Sequence, residues 1–94
     1  MSVEIKYQEL EELELMDNIA FGTRVILFND EIHTFDEVAN QIVKATACNF
    51  DRAMQLANEI HNNGKAVVYE GELAECITVS SVLEEIALLT QIEC

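Results

Sequence analysis

RVILFNDEIHTFDEV, residues 24–38, holds the signals that decide the fold. The run at 24–28 is short, apolar and β-branched, which predicts a buried strand. Thr34 followed by Glu37 predicts a helix start with a capping box, because the threonine oxygen can accept from the third helical amide while the glutamate reaches back. One capping acceptor is enough for this helix, so the oxygen-rich Asn-Asp-Glu triplet at 29–31 is left over for another purpose.

The sequence after this stretch predicts two more helices and two more strands. The first helix should run to about Thr46, and Asn49 can cap a second helix that ends at Asn-Asn-Gly, residues 62–64. The remainder predicts a strand, a third helix and a last strand at 65–71, 72–85 and 87–93. The order β-α-α-β-α-β at this length predicts a two-layer α+β domain, with a three-stranded antiparallel sheet packed against three helices.

Composition limits the possible partners. The chain has 94 residues, enough for one small domain, and its formal net charge is −13. This charge repels phosphate and anionic lipid, which excludes nucleic acid and membrane surfaces and favours a cationic ligand. No apolar run approaches the length of a membrane-spanning helix, and the N-terminal sequence has no basic start followed by a long apolar stretch. We therefore expect a cytoplasmic protein.

The N-terminal segment differs in composition from the rest. Residues 1–23 carry six acids and one lysine, and little offsets the repulsion among the acids, so we expect a flexible acidic extension. Residues 24–94 then form the folded domain. The three cysteines contain no Cys-x-x-Cys pair, and the two histidines are not at metal-ligand spacing. We expect neither a metal nor a cofactor.

Three segments of the domain resemble the ClpS family, adaptors that deliver N-degron substrates to a Clp ATP-dependent protease. They are RVILFND at 24–30, FDRAMQLANEIHNNGKA at 50–66 and ELAE at 72–75, and the resemblance extends over about residues 23 to 93. It implies an adaptor that performs no chemistry itself. Its implied partners are the N-terminal domain of a ClpA-like or ClpC-like AAA+ ATPase and substrate proteins that begin with Leu, Phe, Tyr or Trp.

The resemblance also implies the site residues. The substrate's α-ammonium group has three donors and no acceptor, so it needs oxygen or unprotonated nitrogen around it. The groups implied to bind it are Asn29, Asp30 and His61. The implied rim is Glu31, Ile32 and His33, and the implied apolar pocket is Phe35, Val38, Ala57, Ile60 and Leu88. Glu72 matches an acidic residue that contacts the ATPase.

The sequence departs from the family pattern at four places. Glu31 stands where the family's usual third residue is aspartate, and Phe35 and Ala57 stand where methionines are common. Ile77 occupies the position of a lysine that helps dock the ATPase. These departures leave the residue preference and the ATPase class open.

Other interpretations of the same residues stay open. An Asn-Asp pair after a strand is often a turn that bonds to its own backbone, and a lone histidine on an apolar helix face is often a core residue. Val38 and Ile60 also fit an ordinary core. At the level of function, the alternatives are an acidic interaction domain like the C-terminal domain of the ribosomal stalk protein, or a small acid–base catalyst that uses His61 and Asp30.

Overall fold

The first strand of the chain is the central strand of the sheet. In the computed structural model, which describes residues 22–94, β1 (Thr23–Phe28) lies between β2 (Lys65–Gly71) and β3 (Thr90–Glu93), and both pairings are antiparallel. The register shifts once between β1 and β2, at Val25/Ile26. Such a shift marks a bulge, which bends the strand and increases its twist. The predicted three-stranded antiparallel sheet is confirmed.

Three helices complete the two-layer α+β fold. They are α1 (Phe35–Thr46), α2 (Phe50–Asn63) and α3 (Leu73–Glu84). Their apolar side chains form one core with the side chains of β1 and β2; the fully buried members include Val25, Leu27, Ala39, Ile42, Ala53, Cys76 and Leu83. Within residues 22–94, no helix has the length and apolar character needed to cross a membrane.

Local capping signals set the helix boundaries, as the sequence predicts. The amide of Glu37 donates to Thr34 Oγ1 at 3.1 Å, and the amide of Thr34 donates to Glu37 Oε1 at 2.8 Å, which is the predicted capping box. Asn49 caps α2 by accepting from the amide of Arg52 at 2.7 Å. Gly64 ends α2 with φ +88°, a conformation that costs glycine little because it has no Cβ.

The prediction for the last strand is wrong at its beginning. β3 begins at Thr90, not at residue 87. Ala87 has φ +66°, and its amide donates to the carbonyl of Glu84, so the chain is still turning out of α3 at this point. Leu88 therefore precedes the strand, and its side chain is buried in the core.

The boundary of the predicted extension lies close to the first strand. Residues 1–21 of that extension lie outside the described residues. β1 begins at Thr23, so the last residue assigned to the extension belongs to the sheet. The extension as such stays a prediction.

Candidate functional site

Hydrogen bonds on both sides hold the end of β1. The amide of Phe28 donates to the carbonyl of Leu89 at 3.0 Å, and the amide of Asn29 donates to the carbonyl of Gly64 at 2.9 Å. Gly64 is the C-cap of α2, so the last backbone contact of β1 is with the end of that helix. The segment that follows, residues 29–34, is called the site loop below. The site loop starts from a fixed position, because the amides of Phe28 and Asn29 are both hydrogen-bonded to other parts of the domain.

The site loop, α1 and α2 enclose a cavity of about 400 Å³. Its volume is in the usual range of small-molecule pockets. We call its exposed polar lining residues Asn29, Glu31 and His61 the mouth, and its apolar lining residues Phe35, Val38, Ala57 and Ile60 the interior. The lining residues are Asn29, Asp30, Glu31, His33, Thr34, Phe35, Val38, Ala57, Ile60 and His61.

The cavity brings together most residues of the predicted site. All three residues implied to bind an ammonium group line it, as do four of the five implied pocket residues: Phe35, Val38, Ala57 and Ile60. Leu88 does not line it, because the turn at Ala87 directs this leucine into the core, where it is 3% exposed. Ile32 is 83% exposed and also lies outside the lining. Glu72 is the N-cap of α3.

The Asp30 carboxylate accepts hydrogen bonds from other residues of the site loop. Its Oδ1 accepts from the amides of Ile32 and His33, at 3.1 and 3.0 Å. Burial alone would raise the pKa of Asp30, but the hydrogen bonds from His33 and Ile32 outweigh it and hold the pKa below its ordinary value. The turn interpretation of this aspartate is thus correct, and Asp30 is ionised.

His33 is placed more deeply than a rim residue. Its Nδ1 lies 2.6 Å from Asp30 Oδ2, and its Nε2 lies 2.7 Å from the backbone carbonyl oxygen of Ile86. The bond to Asp30 raises the pKa of His33, burial opposes this, and the Ile86 carbonyl adds to the rise. Sequence reasoning missed this role. The Asp-x-x-His spacing is a signal for the first contact, but nothing local indicates the second.

Three polar side chains at the mouth remain free to bind a ligand. Within residues 22–94, the side chains of Asn29, Glu31 and His61 have no hydrogen-bond or ion-pair partner, and all three residues are exposed. His61 meets the Phe35 ring edge to face, with 5.2 Å between centroids and 64° between planes. His61 is therefore no core histidine. Its ring is oriented by an aromatic contact, and its nitrogens are accessible.

The apolar wall serves the core and the cavity at once. Ala57 and Ile60 are each 3% exposed, and Ile60 belongs to the main core cluster. Val38 is half-buried and packs on the same cluster. Phe35 is 37% exposed. The core interpretation and the pocket interpretation of Val38 and Ile60 are thus compatible.

The residues that line the cavity do not form a metal centre. In the part of the chain that the structure describes, no group of three or more His, Cys, Asp or Glu residues could hold a metal ion. The cavity combines a polar mouth that has spare acceptors with an apolar interior. Such an arrangement can bind a small group that is cationic at one end and apolar at the other.

The fold defines the class of protein. The structure of Agrobacterium tumefaciens ClpS2 bound to L-phenylalaninamide superposes with a TM-score of 0.71, over 76% of this chain and 93% of that one, at 19% sequence identity. The molecule therefore has the ClpS fold. The family model of the ATP-dependent Clp protease adaptor protein ClpS matches residues 22–91, and the chain belongs to this family of Clp protease adaptors.

Two groups of curated relatives are similar in sequence. The ATP-dependent Clp protease adapter protein ClpS of Campylobacter jejuni subsp. doylei is 33% identical over 72 residues, which are 74% of this chain and 73% of that protein. The E3 ubiquitin-protein ligase UBR1 of Drosophila melanogaster is 30% identical over 95 aligned positions, which are 90% of this chain. The chain spans only 5% of the length of that ligase.

Proposed function

We propose that the protein is an adaptor that binds proteins by a destabilising N-terminal residue, Leu, Phe, Tyr or Trp, and delivers them to a Clp AAA+ ATPase. The observation that carries this proposal is the cavity itself, which joins a mouth of unpaired polar side chains to an apolar interior. A free N-terminal residue has the same two parts, an ammonium group and a side chain. The adaptor performs no chemistry, and we expect it in the cytoplasm.

The mouth suits an ammonium group. Asn29 offers a side-chain carbonyl, Glu31 a carboxylate and His61 a ring nitrogen, and none of these has another partner within residues 22–94. An ammonium has three donors, so it can satisfy three such acceptors. Asp30 retains little free acceptor capacity, but its negative charge lies beside the same mouth. Hydrogen bonds to charged groups are about twice as strong as neutral ones.

The interior suits one large apolar side chain. Phe35, Val38, Ala57 and Ile60 supply its walls, and burial of an aromatic side chain from water is favourable by roughly 2–3 kcal/mol. Together with the ammonium contacts this fits affinities in the range of roughly micromolar, weak enough for release to a partner. The ligand of the ClpS2 structure, L-phenylalaninamide, has the same combination of a free amine and a benzyl group.

A pair of peptides tests the proposal. A fluorescent peptide that begins with a free Phe should bind in an anisotropy titration, and its N-acetylated twin should not, because acetylation removes the charge and two of the three donors. A third peptide that begins with Gly controls for the apolar contribution. Equal affinity for the free and acetylated peptides would reject the proposal and favour the acidic interaction domain of the ribosomal-stalk type.

A second candidate partner follows from the other group of relatives. The similarity to an E3 ubiquitin-protein ligase covers most of this chain, so the same N-terminal reader could serve a ubiquitin ligase. Glu72 is exposed for docking, but Ile77 is 50% exposed at the position where a lysine is expected for the ATPase. Degradation of a reporter with an N-terminal Phe by a reconstituted Clp protease would support the first partner. Ubiquitin transfer to the same reporter, without Clp-dependent degradation, would support the second.

A further inference from the structure

The His33 ring is held between two groups that can only accept hydrogen bonds. One is the ionised carboxylate of Asp30, 2.6 Å from Nδ1, and the other is the backbone carbonyl of Ile86, 2.7 Å from Nε2. A neutral imidazole has only one N–H, so it could satisfy one of these acceptors and would point a lone pair at the other. Both acceptors are satisfied only when both nitrogens carry protons, that is, when the ring is an imidazolium.

The two contacts join parts of the chain that are far apart in sequence. His33 lies in the site loop, and Ile86 lies in the turn between α3 and β3, 53 positions later. The His33 side chain is 12% exposed and the Asp30 side chain 24%, so water competes little for these bonds. We call this pair of hydrogen bonds the His33 bridge. It fixes the site loop to the body of the domain at a point other than the end of β1.

The His33 bridge also fixes the direction of Asp30. With Oδ1 bound to two amides of the site loop and Oδ2 bound to the ring, the carboxylate cannot rotate. Asp30 and His33 are both in the lining of the cavity, on either side of Glu31 in the sequence. The position of Glu31 at the mouth thus depends on two neighbours whose side chains are locked together.

We propose that His33 is a positioning residue of the N-terminal-residue site: its imidazolium, held by Asp30 and the Ile86 carbonyl, keeps the site loop in the conformation that presents Asn29 and Glu31 to the substrate ammonium. The inference rests on the proposed function. His33 itself does not bind the ammonium, because its two N–H groups are already used and it carries the same charge.

The test compares two substitutions that each remove a link between distant segments. His33→Gln leaves at most one of the two bonds. Lys44→Gln is the matched control, because Lys44 Nζ donates to Glu85 Oε1 at 2.8 Å, next to Ile86, but lies outside the cavity. For a peptide that begins with a free Phe, we expect His33→Gln to lower affinity about 10-fold or more, by analogy with groups that orient metal ligands, whose removal typically costs about 10- to 100-fold in affinity. Lys44→Gln should stay within a factor of about two, since exposed ion pairs contribute little.

A measurement on the unmodified protein separates positioning from general stability. In nitrogen-15 spectra at neutral pH, both ring nitrogens of His33 should be protonated, and both N–H signals should shift when the free-amine peptide is added but not when its acetylated twin is added. This result is available even if His33→Gln does not fold. A neutral ring, or ring signals that do not respond to the peptide, would overturn the inference.

The outcomes distinguish this inference from the function on which it rests. If the unmodified protein does not bind the free-amine peptide, the proposed function fails and the inference fails with it. If the unmodified protein binds and His33→Gln binds equally well, only the inference fails.

Discussion

Asp30 uses its two carboxylate oxygens for different purposes. Oδ1 accepts from two amides of its own loop, and Oδ2 accepts from the His33 ring. The residue is therefore both part of the site and part of the structure that shapes it. Among the residues that the structure describes, the side chains of Asn29 and Glu31 on either side have no partner, whereas that of Asp30 is bound to its own loop.

We predict different results for Asp30→Ala and Asp30→Asn. Alanine leaves three donors of a partly buried loop without an acceptor, so it should lower the free energy of unfolding by about 1–2 kcal/mol as well as weaken peptide binding. Asparagine keeps an acceptor for the two amides and should retain most of that stability, but it removes the charge. Urea denaturation followed by circular dichroism measures the stability. An alanine variant as stable as the parent would show that the loop does not need this carboxylate.

The Asp30–His33 pair also predicts how stability depends on pH. Folding lowers the pKa of Asp30 from 3.8. Its contribution to the free energy of unfolding is therefore complete above pH 3.8 and is lost as the pH falls through the lower pKa of the folded state. Folding raises the pKa of His33 from 6.5, with Asp30 as the first cause and the charge of Glu37 adding to it. The contribution of His33 to the free energy of unfolding is complete below pH 6.5 and is lost as the pH rises through the raised pKa of the folded state. The pair should therefore stabilise most between pH 3.8 and 6.5.

Comparison of the parent with His33→Gln measures this dependence. Since His61 is present in both proteins, the difference between their free energies of unfolding isolates His33. We expect the difference to shrink as the pH is raised from about 6 to about 9, because the parent loses its imidazolium. A difference that stays constant over this range would mean that folding does not raise the pKa of His33.

At the scale of elements, α1 and α2 form the two walls of the cavity. Phe35 is the first residue of α1 and is 37% exposed, whereas Ala57 lies in α2 and is 3% exposed. A large ring on one wall and a small side chain on the other place the open space next to Ala57. We expect Phe35 to act as a gate to the cavity, because it lies in the first turn of α1, is partly exposed and is not among the described residues that form the core cluster or pack against it.

We predict that Ala57→Met fills this space and weakens peptides that begin with Trp or Phe more than those that begin with Leu. The cost of overfilling is typically about 1–3 kcal/mol. Addition of Phe35→Met should recover part of the loss, because side chains that share a cavity are energetically coupled. Competition assays with peptides that begin with Trp, Phe or Leu, each on the parent, the two single variants and the double variant, give the affinities needed. Strictly additive effects would place the two residues outside a shared pocket.

Local signals predicted the elements well, and long-range contacts could not be predicted. Thr34, Asn49 and Gly64 mark helix ends through their own chemistry, so the sequence shows them. The turn at Ala87 has no glycine, although its φ of +66° is one that glycine adopts most easily, and the late start of β3 was therefore missed. The role of His33 depends on a carbonyl 53 residues away, which no local pattern encodes.

For the whole molecule, the net charge of −13 sets the conditions for association. The 18 acids are spread over both parts of the chain, with six in residues 1–23 and twelve in the rest. A field of this sign attracts an N-terminal ammonium group and repels polyanions. Attraction of this kind accelerates encounter more than it strengthens the final complex, and salt weakens it.

We predict that a protein that begins at Gly22 binds a free-amine Phe peptide like the full chain but does not deliver substrates to the ATPase. The described residues already supply polar and apolar walls of the cavity and a three-stranded sheet, so we expect binding not to need the acidic segment. Fluorescence anisotropy measures peptide binding, and degradation of a reporter with an N-terminal Phe measures delivery to the ATPase. Loss of peptide binding on truncation would assign the segment to the site or to the folded domain.

The strand order also determines when the site can form during synthesis. Of the described strands the ribosome makes β1 first, but β1 is the central strand, and one of its two neighbours, β3, is made last. Both Leu89, which holds the end of β1, and Ile86, which receives the His33 ring, belong to this late segment. A nascent chain that has not yet exposed residues 86–94 outside the ribosomal tunnel has the whole site loop but lacks these supports. The cavity therefore cannot take its final shape before β3 has left the tunnel.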